Sequence, residues 1–260
     1  MASSIAMPAL SDEGLGELLE TISAADSVEL KLTIPVVDRV RTGELLGVDP
    51  VDGQIRQVFF FDTPDLALNA RGIVVRGRRV QGRGDDSVVK LRPVVPEELP
   101  AKVRRSEHFG IEVDAMPGGS YVCSGSMKRE MDPTIVKDAV AGRLPLHKVF
   151  SKEQRALYAA HAPDGLELDD LTVLGPILVL KVKFAAKGYD RKLVAEMWLY
   201  PDNSILVELS TKCAPSEALQ VGLETRAFLT NLGIDLSGEQ ETKTKKALEF
   251  FSERLQAADG

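Results

Sequence analysis

Cysteine and histidine are scarce in this chain: two Cys, at 123 and 213, and three His, at 108, 147 and 161, in 260 residues. None of the five has a second Cys or His at ligand spacing, which leaves a zinc site of the usual kind without support. Met1–Leu10 lacks the basic start and apolar stretch of a secretory signal. The two thiols are therefore read as reduced, in a cytoplasmic setting. No apolar run approaches the ~20 residues of a membrane span. There is no repeat of solenoid period and no low-complexity tract. Net positive charge is missing as well: the balance is −7, which argues against a double-stranded nucleic acid as partner.

What is present is ordinary globular material, 44% apolar and long enough to bury a sizeable core. The charge is unevenly spread. Arg71 to Arg105 holds ten Lys and Arg against four Asp and Glu, a local balance of +6 inside an acidic chain. Such a segment fits an anionic ligand held locally, or a solvated basic hairpin.

Short alternating runs bounded by turn residues predict eight strands: Val28–Ile34, Gln57–Phe61, Ile73–Val80, Ser87–Leu91, His108–Asp114, Ile177–Phe184, Leu193–Tyr200 and Ser204–Thr211. Helices are fewer. Asp132-Pro133 predicts a start and Gly142 a stop, and Ser151 with Gln154 reads as a capping box for a helix to about His161. Ser216 is expected to cap a helix reaching about Leu232 and closed by Gly233. A last helix, about Glu241 to Gln256, carries Ala247, Leu248, Phe251 and Leu255 on one stripe, and Leu15, Leu18, Leu19 and Ile22 predict a short amphipathic helix near the start. The expected organisation is an N-terminal helical segment over 1–25, a barrel over 26–215 with a helical insertion at about 117–170, and helices packing on it over 216–260.

Residues two apart share a strand face. Glu29 and Lys31 share one with Ser27; so do Arg76 with Arg78, Lys90 with Arg92, Glu112 with Asp114, and Lys181 with Lys183. Glu196 stands with Trp198 and Tyr200, and Glu208 with Ser210 and Lys212. Nearly every strand thus has one apolar and one ionic face. The ionic faces can simply meet water. Their segregation by sign, repeated over at least six strands, suggests instead that they converge inside a barrel, since a solubilising surface intersperses signs. Two cations about 6 Å apart cost roughly 3 kcal/mol at an effective dielectric of ~20, so converging cations need carboxylates across the bore or a visiting polyanion.

Phe60-Phe61-Asp62-Thr63-Pro64-Asp65-Leu66, then Gly72-Ile73-Val74-Val75-Arg76-Gly77-Arg78 and Val88-Val89-Lys90, resembles the signature of the CYTH, or triphosphate tunnel metalloenzyme, family. Ser27-Val28-Glu29-Leu30-Lys31 resembles its opening Glu-x-Glu-x-Lys, while Glu196 and Glu208-Leu209-Ser210 resemble its late acidic strands. The likeness covers about 27–232. It implies a mainly β fold with helices (α+β): an eight-stranded antiparallel tunnel barrel with peripheral and C-terminal helices. It implies phosphate binding by Lys31, Arg76, Arg78, Lys90, Lys181 and Lys183, and Mg²⁺ or Mn²⁺ held by Glu29, Glu196 and Glu208. Glu112 and Asp114 would orient water or a second ion, joining Glu29 and Lys31 as catalytic groups. Ser27 and Ser210 depart from the pattern, standing where the family has metal-ligating Glu.

The implied function is metal-dependent hydrolysis of a small triphosphate-containing substrate. Two alternatives stay open: a cyclase acting on ATP, with Phe59, Phe61 or Trp198 stacking on the base, and a non-catalytic module that binds polyphosphate or a nucleotide.

Overall fold

The structure, a computed structural model, describes residues 12–117, 120–236, 240 and 243–258. The expectations for Met1–Leu10 and for a last helix beginning at Glu241 lie outside the described residues, and the side chain of Leu15 does as well. No described helix is long and apolar enough to cross a membrane.

The elements run α1 (Asp12–Ser23), β1 (Ser27–Ile34), α2 (Arg39–Leu46), β2 (Gln54–Asp62), β3 (Ile73–Val80), β4 (Asp85–Leu91), α3 (Ala101–Arg104), β5 (Phe109–Ala115), β6 (Tyr121–Met131), α4 (Ile135–Val140), α5 (Lys152–Ala159), β7 (Thr172–Ala185), β8 (Lys192–Leu199), β9 (Ile205–Cys213), α6 (Ala218–Asn231) and α7 (Lys243–Ala258). The strands close a barrel in the order β1-β5-β6-β4-β3-β2-β7-β8-β9, with β9 returning to β1.

The barrel has nine strands, one more than expected, and the addition is β6. Its Ser124-Gly125-Ser126 core reads as a turn by propensity, yet these residues are chosen for packing. A β-carbon at position 125 would come within 2.5 Å of the Phe109 ring on β5, and Ser124 is fully buried with its hydroxyl donating to the Glu112 carbonyl. Close approach of a neighbour is the usual reason for glycine inside a strand. The ninth strand also changes the sheet's character. Alternating directions can close a ring only with an even number of strands, so nine strands force one parallel pair. That pair is β1–β5; all others are antiparallel.

The apolar faces point outward under helices and loops. Val28, Phe61, Ile73, Val75, Val89 and Val113 meet Val136, Val149, Phe150 and Leu157 in one large cluster. The insertion is locked on by Gln154, fully buried, whose Nε2 donates to the carbonyls of Ser87 and Met127 while its Oε1 accepts from the Ser87 hydroxyl. The expected capping box between Ser151 and Gln154 is formed. Two other expected caps are not. Thr134, in the left-handed region at φ 91°, precedes α4 in place of Asp132, and Glu217 precedes α6 because Pro215–Glu217 first makes a 3₁₀ turn that takes in Ser216.

One end of the bore is apolar. Val58, Val179, Trp198 and Leu206 meet Ala247 and Leu248 of α7, with Phe251 and Leu255 packed alongside, so the stripe expected on the last helix is its docking face.

Candidate active site: a charged tunnel closed at one end

The barrel encloses a cavity of about 510 Å³. Its lining takes every second residue of each strand, for example 29 and 31, 76 and 78, 112 and 114, 181 and 183, as the pleat requires. All eleven residues proposed from sequence line it: Glu29, Lys31, Arg76, Arg78, Lys90, Glu112, Asp114, Lys181, Lys183, Glu196 and Glu208. Five further cations also line it, namely Arg56, Arg92, Lys128, Lys212 and Lys243. Among the described residues, eleven basic groups therefore face five acidic ones in a molecule whose net charge is −7. Depth separates them. Lys183, Lys128 and Lys212 are exposed at a rim, whereas the arginines of β2 and β3, Lys31, Lys90 and Lys181 lie deeper.

The Asp-Thr-Pro turn sets the position of β3. The buried Asp62 carboxylate accepts from the backbone N–H of Thr63, Leu68 and Asn69, and the Thr63 hydroxyl accepts from Ala67 N–H. This knot stiffens the chain entering the strand that carries Arg76 and Arg78. The Asp of the motif is a structural staple.

The carboxylates are matched by lysines. Asp114, its side chain 1% exposed, pairs with Lys31 at 2.7 Å, Arg92 at 3.3 Å and Lys90 at 3.8 Å. Burial opposes its ionisation, but these three cations outweigh burial and hold it below the usual carboxylate range. Lys31 also pairs with Glu29 at 3.2 Å; burial works against its charge, and Glu29 and Asp114 more than restore it, so its pKa is raised. Glu112 pairs with Lys212 at the rim. Glu196 and Glu208 stand directly opposite across β8–β9. Glu196 accepts from Lys181 at 2.8 Å, from the Trp198 indole at 3.2 Å and from Lys243. Lys243 also reaches Glu208 at 2.6 Å. Burial disfavours the charge on Glu196, yet Lys243 and Lys181 hold its pKa well below the ordinary value.

The arginine wall is less well matched. Arg78 pairs with Asp86, its partner across the hairpin, at 2.8 Å. Arg76, one step deeper, has a buried Nε with no hydrogen-bond partner and makes no ion pair among the described residues. Burial, with Arg78 beside it, pulls its pKa down to about 9. A guanidinium keeps its proton in proteins, so the group carries this penalty as unfavourable free energy. Lys90 is likewise pushed down to about 8 by burial, despite Asp114.

Hard oxygen donors suit Mg²⁺ or Mn²⁺. Carboxylate oxygens of Glu29, Glu112 and Asp114 lie within 4.8 Å of one another, and Glu196 with Glu208 forms a second facing set. The expected ligands Glu29, Glu196 and Glu208 are thus split between two groups. Ser210, buried beside Glu208, donates to Glu29 at 3.0 Å and links them. Ser27 lies 3.5 Å from Glu112.

Three of the further cations have weak signals in the sequence. Arg56 sits just outside a predicted strand, Lys128 lies on the unrecognised β6, and Lys243 belongs to a helix. Arg92 and Lys212 are visible on the faces of Lys90 and Glu208, but the pattern gives them no role.

No family model matches the chain, and no curated protein does. Among solved structures, a "putative adenylate cyclase" from Bacillus halodurans superposes with a TM-score of 0.59 at 14% identity, over 85% of this chain and 97% of that one. A second, from Hippeastrum, is described as a "putative adenylyl cyclase" with a dominant triphosphatase activity; its TM-score is 0.58 at 17% identity, over 82% and 91% of the two chains. At these identities the likeness concerns the fold, and the fold of this chain is that of the CYTH tunnel barrel with peripheral helices.

Proposed function

We propose that the chain hydrolyses a phosphoanhydride bond of a triphosphate-containing small molecule, with the barrel and its C-terminal helices as one functional unit. One observation carries the reading: among the described residues, the bore sets eleven cations against five carboxylates, and the buried Nε of half-buried Arg76 has no partner. A polyanion of three to four charges would relieve that imbalance where the barrel's own residues do not.

In this reading Arg76, Arg78 and Arg56 grip the chain of phosphates with forked donors, and Lys181 and Lys90 neutralise the oxygens facing β7 and β4. Glu29, Glu112 and Asp114, with Glu196 and Glu208 opposite, would hold Mg²⁺ or Mn²⁺. Such an ion supplies charge neutralisation at the transferring phosphoryl group. Lys31 fixes Glu29 and Asp114 in place through its two ion pairs. Glu112 and Glu29 are the acceptors available to orient an attacking water. The triphosphatase activity of the Hippeastrum protein supports the same direction.

A nucleoside pocket is poorly supported. Of the three aromatics considered for base stacking, Phe59 and Phe61 belong to the outer cluster and Trp198 alone lines the cavity. Its indole N–H is spent on Glu196, with Phe60 stacked at 6.5 Å. The binding-only alternative gains from Ser210 and Lys243, which occupy carboxylates that an ion would need.

Phosphate release from tripolyphosphate and from ATP, each with Mg²⁺ and with Mn²⁺, tests the proposal. Release from tripolyphosphate that is lost in Arg76→Ala is the expected result. Tight tripolyphosphate binding with no product in any metal would establish the binding module instead, and cyclic nucleotide from ATP would establish the cyclase.

A further inference from the structure

Among the described residues, Lys243 differs from every other cation in the bore because it does not belong to the barrel. It is the first described residue of α7, and its ammonium enters between Glu196 and Glu208, touching both. It also lies 5.5 Å from the centroid of the Trp198 ring. Four apolar side chains of the same helix, Ala247, Leu248, Phe251 and Leu255, pack on the apolar end of the bore. Position and docking are therefore one event: when α7 seats, the ammonium is delivered to the carboxylate pair.

Two carboxylates facing each other in a buried bore repel, and that repulsion is relieved by a cation between them. A divalent ion would meet the same requirement at the same oxygens. The ammonium and the ion cannot both occupy the space between Glu196 and Glu208. We infer that Lys243 is a tethered stand-in for the divalent cation, so that metal binding at Glu196–Glu208 and seating of the start of α7 compete. The inference rests on the reading that the tunnel takes a divalent ion. It adds that the C-terminal helix sets how tightly the ion binds, and that an ion entering frees one ammonium to turn toward an anionic ligand in the bore.

By linkage the coupling is reciprocal: whatever α7 docking costs the metal, metal costs α7 docking. The only tryptophan in the sequence sits at the junction and reports on both. The test is a titration of the full chain with Mn²⁺ alone. Free Mn²⁺ is counted by electron paramagnetic resonance, Trp198 fluorescence is followed, and hydrogen exchange is measured over α7. In the parent, Mn²⁺ is expected to bind weakly, change Trp198 emission and speed exchange at 243–250. Lys243→Gln is expected to bind Mn²⁺ about tenfold more tightly, with fast exchange at 243–250 that Mn²⁺ no longer alters. Lys243→Arg, which keeps the charge and protects against loss of fold, is expected to bind as weakly as the parent. Equal Mn²⁺ affinity in parent and Lys243→Gln overturns the competition while leaving the metal reading intact. No Mn²⁺ binding in any of the three proteins overturns both.

Discussion

The two sides of the tunnel solve the problem of buried charge in opposite ways. On the side built by β1, β5, β8 and β9, each buried carboxylate has a cation within ion-pair distance, and Asp114 has three. On the side built by β2 and β3, Arg76 has none among the described residues. The acidic side is matched by its own residues; under the proposed function, an anionic ligand would match the arginine side. Stability should accordingly reside in the first and ligand affinity in the second.

The strongest way to break this contrast is to remove the hub of the matched side. Asp114→Ala leaves Lys31, Lys90 and Arg92 facing one another in a buried space, and breaking such a network by one partner costs about 3–5 kcal/mol. Urea unfolding is expected to show that loss, with part of it recovered in tripolyphosphate. A variant as stable as the parent would mean that the three cations reach water.

The opposite side should respond with the opposite balance. Arg76→Ala is expected to leave stability unchanged or raised, because a half-buried guanidinium with an unpartnered Nε is a burden to the fold, and to weaken tripolyphosphate binding by about 1.5–3 kcal/mol. Calorimetry on the same protein reads both quantities. Lys183→Ala, at the exposed rim, is the internal reference: its effect on binding should stay within about 0.5–1 kcal/mol. Equal losses at 76 and 183 would sink the distinction between depth and rim.

The smallest effect sharpens the contrast through protons. Lys90, held near 8 by burial, lies below the ordinary lysine value of 10.5. Between those values the unfolded chain binds more protons than the folded one, so this group's contribution to stability rises with pH across that window. Below about pH 8 both states are charged and the burial penalty stands in full. A bound polyanion favours the ammonium, so tripolyphosphate should bind with uptake of a fraction of a proton between about pH 8 and 10, and lose affinity as pH rises there. Calorimetry in buffers of different ionisation enthalpy measures the uptake, and Lys90→Gln should abolish it.

How much of this was legible beforehand follows from geometry. A pleated strand announces its inward face by alternation, so Glu29 with Lys31, Arg76 with Arg78 and Lys181 with Lys183 were readable two residues at a time, and all line the bore. Alternation fails where a strand is written in small residues: β6 hid behind Ser124-Gly125-Ser126, and with it went Lys128, the strand count and the parallel pair. It also fails across elements. The stripe Ala247, Leu248, Phe251 and Leu255 foretold that α7 has an apolar face, but a stripe does not say where it docks. The placement of Lys243 between Glu196 and Glu208 depends wholly on that docking. The Asp-Thr-Pro turn is readable by its letters, while its purpose, a carboxylate knotting three amides, shows only in the fold.

Closure of the ring has a temporal meaning. β1 is joined by β9, and the Ser210 hydroxyl meets Glu29 from 181 residues farther along the chain. Until that last strand arrives, the Lys31 and Asp114 strands form an open sheet whose charged face is wetted by solvent, and no enclosed bore exists. Joining the two extremities of a barrel requires a large loop to be closed before its contacts give anything back, which makes such topologies slow to assemble. The repulsive interior is therefore expected to be sealed late in folding. A polyanion present during refolding should act at that step, speeding closure rather than the earlier gathering of β2, β3 and β4.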